Sequence, residues 1–120
     1  MNTLTTITQH YIAALYFTDT GDSDQPPADT PLSAVARRSC EAACKTALAA
    51  VPPDLLPLVV ANAEQFGQDL WLTRNGHGVG FWDRPEIWGD EAGQVFTAIA
   101  DALGTSDAYM SDAGQLEVTP

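Results

Sequence analysis

The sequence predicts an α+β domain in which N-terminal helices cover one face of a small antiparallel sheet near the C-terminus. Three observations carry the prediction. Apolar residues recur at i, i+3 and i+4 through most of the first 66 residues; Gly, Trp, Phe and β-branched residues crowd residues 69–84; and two short apolar stretches flank an Asp-Ala-Gly turn near the end. A chain of 120 residues is predicted to form a single domain over 1–120, with no room for separate catalytic and cofactor domains.

Leu4, Ile7, Tyr11, Ile12 and Leu15 keep helical spacing, so residues 3–17 read as the first helix. Residues 18–30, TDTGDSDQPPADT, hold four Asp, one Gly, two Pro and no base, the composition of a solvated acidic loop. Thr30 followed by Pro31 predicts an N-cap and first helical residue, with Leu32, Val35, Ala36, Cys40, Ala43, Ala47 and Leu48 continuing the stripe to Ala50. Pro52-Pro53 ends it. Asp54 is the expected cap of a third helix whose stripe is Leu55, Leu58, Val59, Asn62 and Phe66, with Gly67 as its stop. Leu70-Trp71-Leu72-Thr73, a turn at Asn75–Gly78, and Val79–Trp82 predict a β-hairpin within 69–84. Residues 83–89 read as irregular. Ala92, Val95, Phe96, Ile99 and Leu103 predict a helix from Glu91 to its stop at Gly104, and Ala108–Met110 with Leu116–Val118 predict a second hairpin. The expected order is ααα-ββ-α-ββ.

With 45% hydrophobic and 18% charged residues the chain can bury a core, but its charge is lopsided: 16 acids against 5 bases, formally −11. Such a surface repels phosphates and anionic lipid, which excludes ordinary nucleic-acid and membrane binding and favours basic protein partners. The acidity is segregated as well. Residues 54–120 hold eleven acids and two bases, and from Pro85 onward there are seven acids and no base. No run approaches the ~18–20 apolar residues of a membrane span, and the Met1-Asn2-Thr3-Leu4 start lacks the basic and apolar regions of a signal peptide, which predicts a cytoplasmic protein.

The densest stretch is WLTRNGHGVGFWDR, residues 71–84. One reading makes His77 a general base oriented by Asp83, with Arg74 or Arg84 binding an anion, as in a small hydrolase. The simpler reading is structural, with the glycines serving a turn and Arg84 pairing with a nearby acid; a His without a nucleophile or metal partner carries little catalytic signal. Asp19, Asp22, Asp24 and Asp29 lack the order and closing Glu of a calcium loop. Cys40 and Cys44, four apart on an Ala-rich apolar stripe, behave as small hydrophobes and not as zinc ligands with His10 or His77. No P-loop, GxSxG, HExxH or dinucleotide fingerprint occurs. No catalytic residue, cofactor or metal is therefore assigned.

The segment LTRNGHGVGFWDR, followed by a helix over Asp90–Leu103 and a strand and turn containing Tyr109, Asp112 and Gly114, resembles a motif of small proteins encoded by bacteriophages and prophages. The resemblance spans about residues 66–118 and implies an origin in a mobile element. Small acidic proteins of that origin include, as a class, anti-CRISPR and anti-restriction inhibitors that occupy a host complex's nucleic-acid site.

A nucleic-acid mimic must hold carboxylates in rows on rigid elements, since each DNA strand presents a phosphate every ~3.4 Å. The expected function is accordingly a non-enzymatic, phage-encoded inhibitor acting in the host cytoplasm on a basic nucleoprotein complex, a CRISPR effector or a restriction enzyme. The expected partner-binding residues are Glu86, Asp90, Glu91, Asp101, Asp107 and Asp112, with Trp88 as an apolar anchor ringed by acids. Alternatives are the His77 and Asp83 hydrolase, or an accessory protein of virion assembly.

Overall fold

The computed structural model describes residues 2–119. Its first helix, α1 (Thr3–Asp19), opens on Asn2, whose side chain accepts the Thr5 N–H at 2.7 Å, and buries Ile7, Tyr11, Ala14 and Leu15 along one stripe. The acidic loop that follows is tied back: Tyr16 Oη donates to the Thr30 carbonyl at 2.6 Å, and Gln25 Nε2 to the Thr18 carbonyl at 3.0 Å.

Helix α2 (Ala34–Ala50) starts three residues later than Pro31, its expected first residue. Its cap is Ser33, whose Oγ accepts the Ala36 N–H at 2.9 Å, and not Thr30, whose hydroxyl turns back to the Pro27 carbonyl. The reason is tertiary. Leu32 lies extended beside Leu116 in a parallel bridge, with the Leu116 N–H donating to the Pro31 carbonyl at 2.7 Å and the Ser33 N–H to the Leu116 carbonyl at 3.1 Å. Pairing with the C-terminal strand outweighs the favourable position of a proline in a first helical turn.

The largest departure lies between residues 54 and 84. The expected third helix is two, α3 (Leu56–Ala61) and α4 (Ala63–Arg74), separated at Asn62, where φ −130° and ψ 39° are not helical. Asp54 is exposed and caps nothing. Gly67 does not stop the helix but sits inside α4 where it crosses α1: a methyl group on Gly67 would overlap the Ile7 carbonyl and come within 2.9 Å of the Tyr11 nitrogen. The glycine lets two backbones touch.

The hairpin expected at 69–84 is absent. Leu70–Thr73 completes α4, because Ala63, Phe66, Gly67, Leu70, Trp71 and Arg74 are buried at helical spacing. Phe81–Asp83 forms a single 3-10 turn in which the Gly80 N–H donates to Asp83 Oδ1 at 2.7 Å. Residues 85–89, expected to be irregular, are the first turn of α5 (Pro85–Leu103). A kink at Gly89, with φ 76° and ψ 168°, separates that turn from the expected helical stripe, which ends as anticipated at Gly104.

Strands β1 (Ala108–Met110) and β2 (Leu116–Val118) pair antiparallel with Tyr109 opposite Glu117, as predicted. The observed order, four α-helices, a 3-10 turn, a fifth α-helix and one hairpin, remains α+β but is more helical than ααα-ββ-α-ββ. Helix α2 packs against β2, whose Leu116 is fully buried. At the centre of the core Phe66, Phe81, Trp88 and Phe96 contact one another in six ring pairs with centroids 5.2–6.1 Å apart, mostly edge to face.

Candidate functional site

Asp69 and Arg74 of α4 are buried and Asp83 of the 3-10 turn is half-buried, while the charged residues of α5 are exposed. Asp69 is fully buried. Its Oδ1 accepts Arg84 Nε at 2.7 Å and Gln65 Nε2 at 3.0 Å, and its Oδ2 accepts Trp88 Nε1 at 2.9 Å. The hydrogen bond that Arg84 donates to Asp69 raises the Arg84 pKa above its ordinary value. This arrangement corrects the expectation for Trp88. The indole is 4% exposed, packed in the aromatic cluster with its N–H spent on Asp69, so it cannot anchor a partner at the surface.

Arg74, 7% exposed, reaches the end of α5: Nε donates to the Gly104 carbonyl at 2.7 Å, Nη2 to the Leu103 carbonyl at 3.1 Å, and Nη1 to Tyr11 Oη at 2.9 Å. It satisfies carbonyls at the negative end of the helix. The residues of the hydrolase reading thus go to separate tasks. Arg74 caps α5, Asp83 holds the 3-10 turn, and His77 Nε2 faces Asp19 Oδ1 at 3.9 Å instead of Asp83.

Both arginines of the C-terminal half are therefore engaged inside the protein, and the outward carboxylates keep no cation. Among the described residues, the one contact between an arginine or lysine and a carboxylate is Arg84–Asp69, and His77 Nε2 approaches Asp19 Oδ1 at 3.9 Å. Glu86, Asp90, Glu91, Asp101, Asp107 and Asp112 are all exposed. Glu86 lies ahead of the Gly89 kink, Asp107 just before β1 and Asp112 in the β1–β2 turn. Asp90 and Asp101 share one face of α5, eleven residues or about three turns apart, offset by about 20° and separated by roughly 16 Å along the axis.

Beside that row runs an apolar groove of about 430 Å³ between α5 and α2. Val95, Ala98, Ile99 and Ala102 form one wall, and Thr46, Ala47 and Ala50 the other. Glu91 continues the line of Val95, Ala98 and Ala102 at i, i+4, i+7 and i+11, and so stands at the groove's N-terminal end. The sequence carries a sign of this groove that was missed: Ala98 and Ala102 repeat at i+4 on the solvent side of an otherwise large-residue stripe. The exposed aromatic residues were missed too. They are Phe17, Trp82 and Tyr109, and Phe17 is 85% exposed.

Cys40 and Cys44 are buried free thiols, and burial pushes them up to about 11 and about 12 respectively. Among the described residues no three His, Cys, Asp or Glu side chains converge to hold a metal ion, and no helix is long and apolar enough to cross a membrane. No family model, curated protein or solved structure matches the chain.

Proposed function

We propose that this protein is a non-enzymatic inhibitor of the kind mobile genetic elements encode, acting in the host cytoplasm by laying its acidic α5 face on the basic nucleic-acid-binding surface of a host defence complex. The observation that supports this reading most directly is that Asp90 and Asp101 on one face of α5, and Glu91 at the end of the apolar groove next to it, are exposed and without a cation partner among the described residues. The carboxylates supply the long-range attraction and the orientation, while Val95, Ala98, Ile99 and Ala102 supply apolar area for the aliphatic stems of Arg and Lys. The groove takes over the anchoring role that Trp88 does not fill. Glu86, Asp107 and Asp112 extend the negative field at the ends of this face.

The test is competition. A labelled DNA duplex bound to a purified CRISPR effector complex, and separately to a restriction enzyme, is titrated with the protein at about 50 mM and about 300 mM NaCl, between which screening shortens the reach of surface charges. The expected result is displacement from at least one of them at low salt, weakened at high salt, with the triple variant D90N/E91Q/D101N at least about tenfold poorer. Absence of displacement at low salt, or equal potency of the triple variant, overturns the reading.

A further inference from the structure

We infer that a cavity lined by Arg74 is a binding site for a small monocarboxylate. The cavity, about 240 Å³, lies between α2, the end of α5 and the C-terminal hairpin, and is lined by Tyr11, Ser39, Ala42, Arg74, Ser106 and Thr119 among others. Its one charge among the described residues is a cation, for which they supply no anion. Arg74 is 93% buried by the complement of its 7% exposure, yet it forms no ion pair among the described residues. Asp101 and Asp107, the acids flanking its Leu103 and Gly104 contacts in sequence, point into solvent.

A buried guanidinium without a counter-ion is costly. The negative end of α5, through the Leu103 and Gly104 carbonyls, offsets roughly half a charge. No other described lining group contributes the remainder. Burial raises the Tyr11 pKa and pushes the Cys40 thiol up to about 11, so both stay protonated at neutral pH despite the nearby Arg74.

Donor capacity is also left over. A guanidinium has five N–H groups, and three are used, by the Gly104 carbonyl, the Leu103 carbonyl and Tyr11 Oη. One N–H on each terminal nitrogen is without an acceptor among the described residues, and a carboxylate has two oxygens to accept them. Ser39 and Thr46 hydroxyls on the α2 wall make no side-chain hydrogen bond among the described residues, whereas Ser106 Oγ is already committed to the Thr119 carbonyl at 2.6 Å.

Size and polarity select the ligand. The volume equals about eight waters' share of liquid, and lies below the ~300–1,000 Å³ of sites for drug-sized molecules. Ala42, Ala43, Leu103 and Val118 make the rest of the lining apolar. A single carboxylate on a short body of three or four carbons, with or without one hydroxyl, fits that wall; a dianion would leave charge unmatched by one arginine. This inference does not depend on the acidic-face reading, since it concerns a different surface and a different class of ligand.

The test is titration of the full chain with lactate, isobutyrate, phosphate and chloride, read by amide and Arg Nε–H shifts in ¹H–¹⁵N spectra and by melting temperature. Saturable shifts at Arg74, Gly104 and Ser106 with lactate or isobutyrate, accompanied by a higher melting temperature, are expected. The control is Ala42→Phe, an exposed helix position at the cavity wall that a ring would fill without entering the core. It should leave the ligand-free spectrum dispersed and weaken carboxylate binding at least about tenfold. Three results overturn the inference: no saturable carboxylate shift, equal shifts with chloride or phosphate, or carboxylate binding that persists in a folded Ala42→Phe.

Discussion

Trp88 and Asp69 meet in the interior, the indole Nε1 donating to the carboxylate Oδ2 at 2.9 Å while Arg84 holds Oδ1 at 2.7 Å. One carboxylate thereby joins the middle of α4 to the residue that precedes α5 and to the first turn of α5, and sets the direction in which α5 leaves. Asp69→Asn keeps the shape but leaves Arg84 without a counter-charge and presents an NH₂ to one of three donors. Breaking such a pair costs about 3–5 kcal/mol, and the partial exposure of Arg84 places this case near the lower end. Trp88→Phe leaves Oδ2 unsatisfied and should cost about 1–3 kcal/mol. Urea denaturation of both variants checks the order; a loss below about 1 kcal/mol for Asp69→Asn would show that the pair does not fix the helix junction.

Gly67→Ala separates helix propensity from packing. In an isolated helix the change gains about 1 kcal/mol. Here the added methyl meets the Ile7 carbonyl and the Tyr11 nitrogen, both main-chain atoms of α1 that cannot rotate away, so the helices must part and the protein should lose about 1–3 kcal/mol. Gly93→Ala serves as the comparison, because its methyl would stand 3.2 Å from the Phe81 carbonyl, a tight contact that a small shift relieves. Melting temperatures should fall further for position 67 than for position 93.

The pattern of success in reading the sequence has the same physical source. Helix α1, the stripe of α5 and its stop at Gly104, and the final hairpin depend on spacing within a single segment, and each was legible. The misreadings occur where a distant segment decides. Pro31 is extended because Leu116 pairs beside it, and Gly67 is helical because α1 presses on it. Leu70–Thr73 was readable: Phe66, Leu70 and Arg74 continue a four-residue rhythm across Gly67, but the β-preference of Trp71, Leu72 and Thr73 and the apparent stop at Gly67 concealed it. For the site, the acids and their segregation are visible in composition. That Trp88 turns inward while Val95, Ala98, Ile99 and Ala102 form a groove depends on how α5 lies on α2 and α4, which no local pattern states.

The buried thiols give the protein an alkaline limit. Each has a folded pKa above the usual thiol value of 9.0, about 11 for Cys40 and about 12 for Cys44, because burial disfavours the thiolate. Below pH 9 both states hold the proton and the thiols contribute no pH dependence. Above it the unfolded chain releases protons that the folded chain keeps, so stability falls as pH rises toward 11 to 12, by at most about 1.4 kcal/mol per pH unit for each thiol. Denaturation midpoints measured from pH 8 to 10.5 should decline above pH 9, and less steeply in Cys40→Ala/Cys44→Ala. The native thiols should also resist an aromatic disulfide reagent at pH 8 until the chain is unfolded.

Salt should stabilise this protein. A formal charge of −11 is held with one arginine–carboxylate pair among the described residues, Arg84 with the buried Asp69. The dominant electrostatic effect between surface groups is thus mutual repulsion, largest in the compact state where carboxylates are closest. Added salt screens exposed charges over distances beyond ~8–10 Å but leaves the buried pair nearly untouched, so the folded state gains more than it loses. The melting temperature should climb with NaCl and level off once the screening length is shorter than the spacing of neighbouring acids. Neutralising Asp90, Glu91 and Asp101 together should reproduce part of that rise without salt and flatten the remaining dependence, while Asp69→Asn should lower the melting temperature at every ionic strength. A melting temperature that falls with NaCl would mean that attractive pairs outweigh repulsion on the surface, and the exposed carboxylates of α5 would lose their electrostatic meaning.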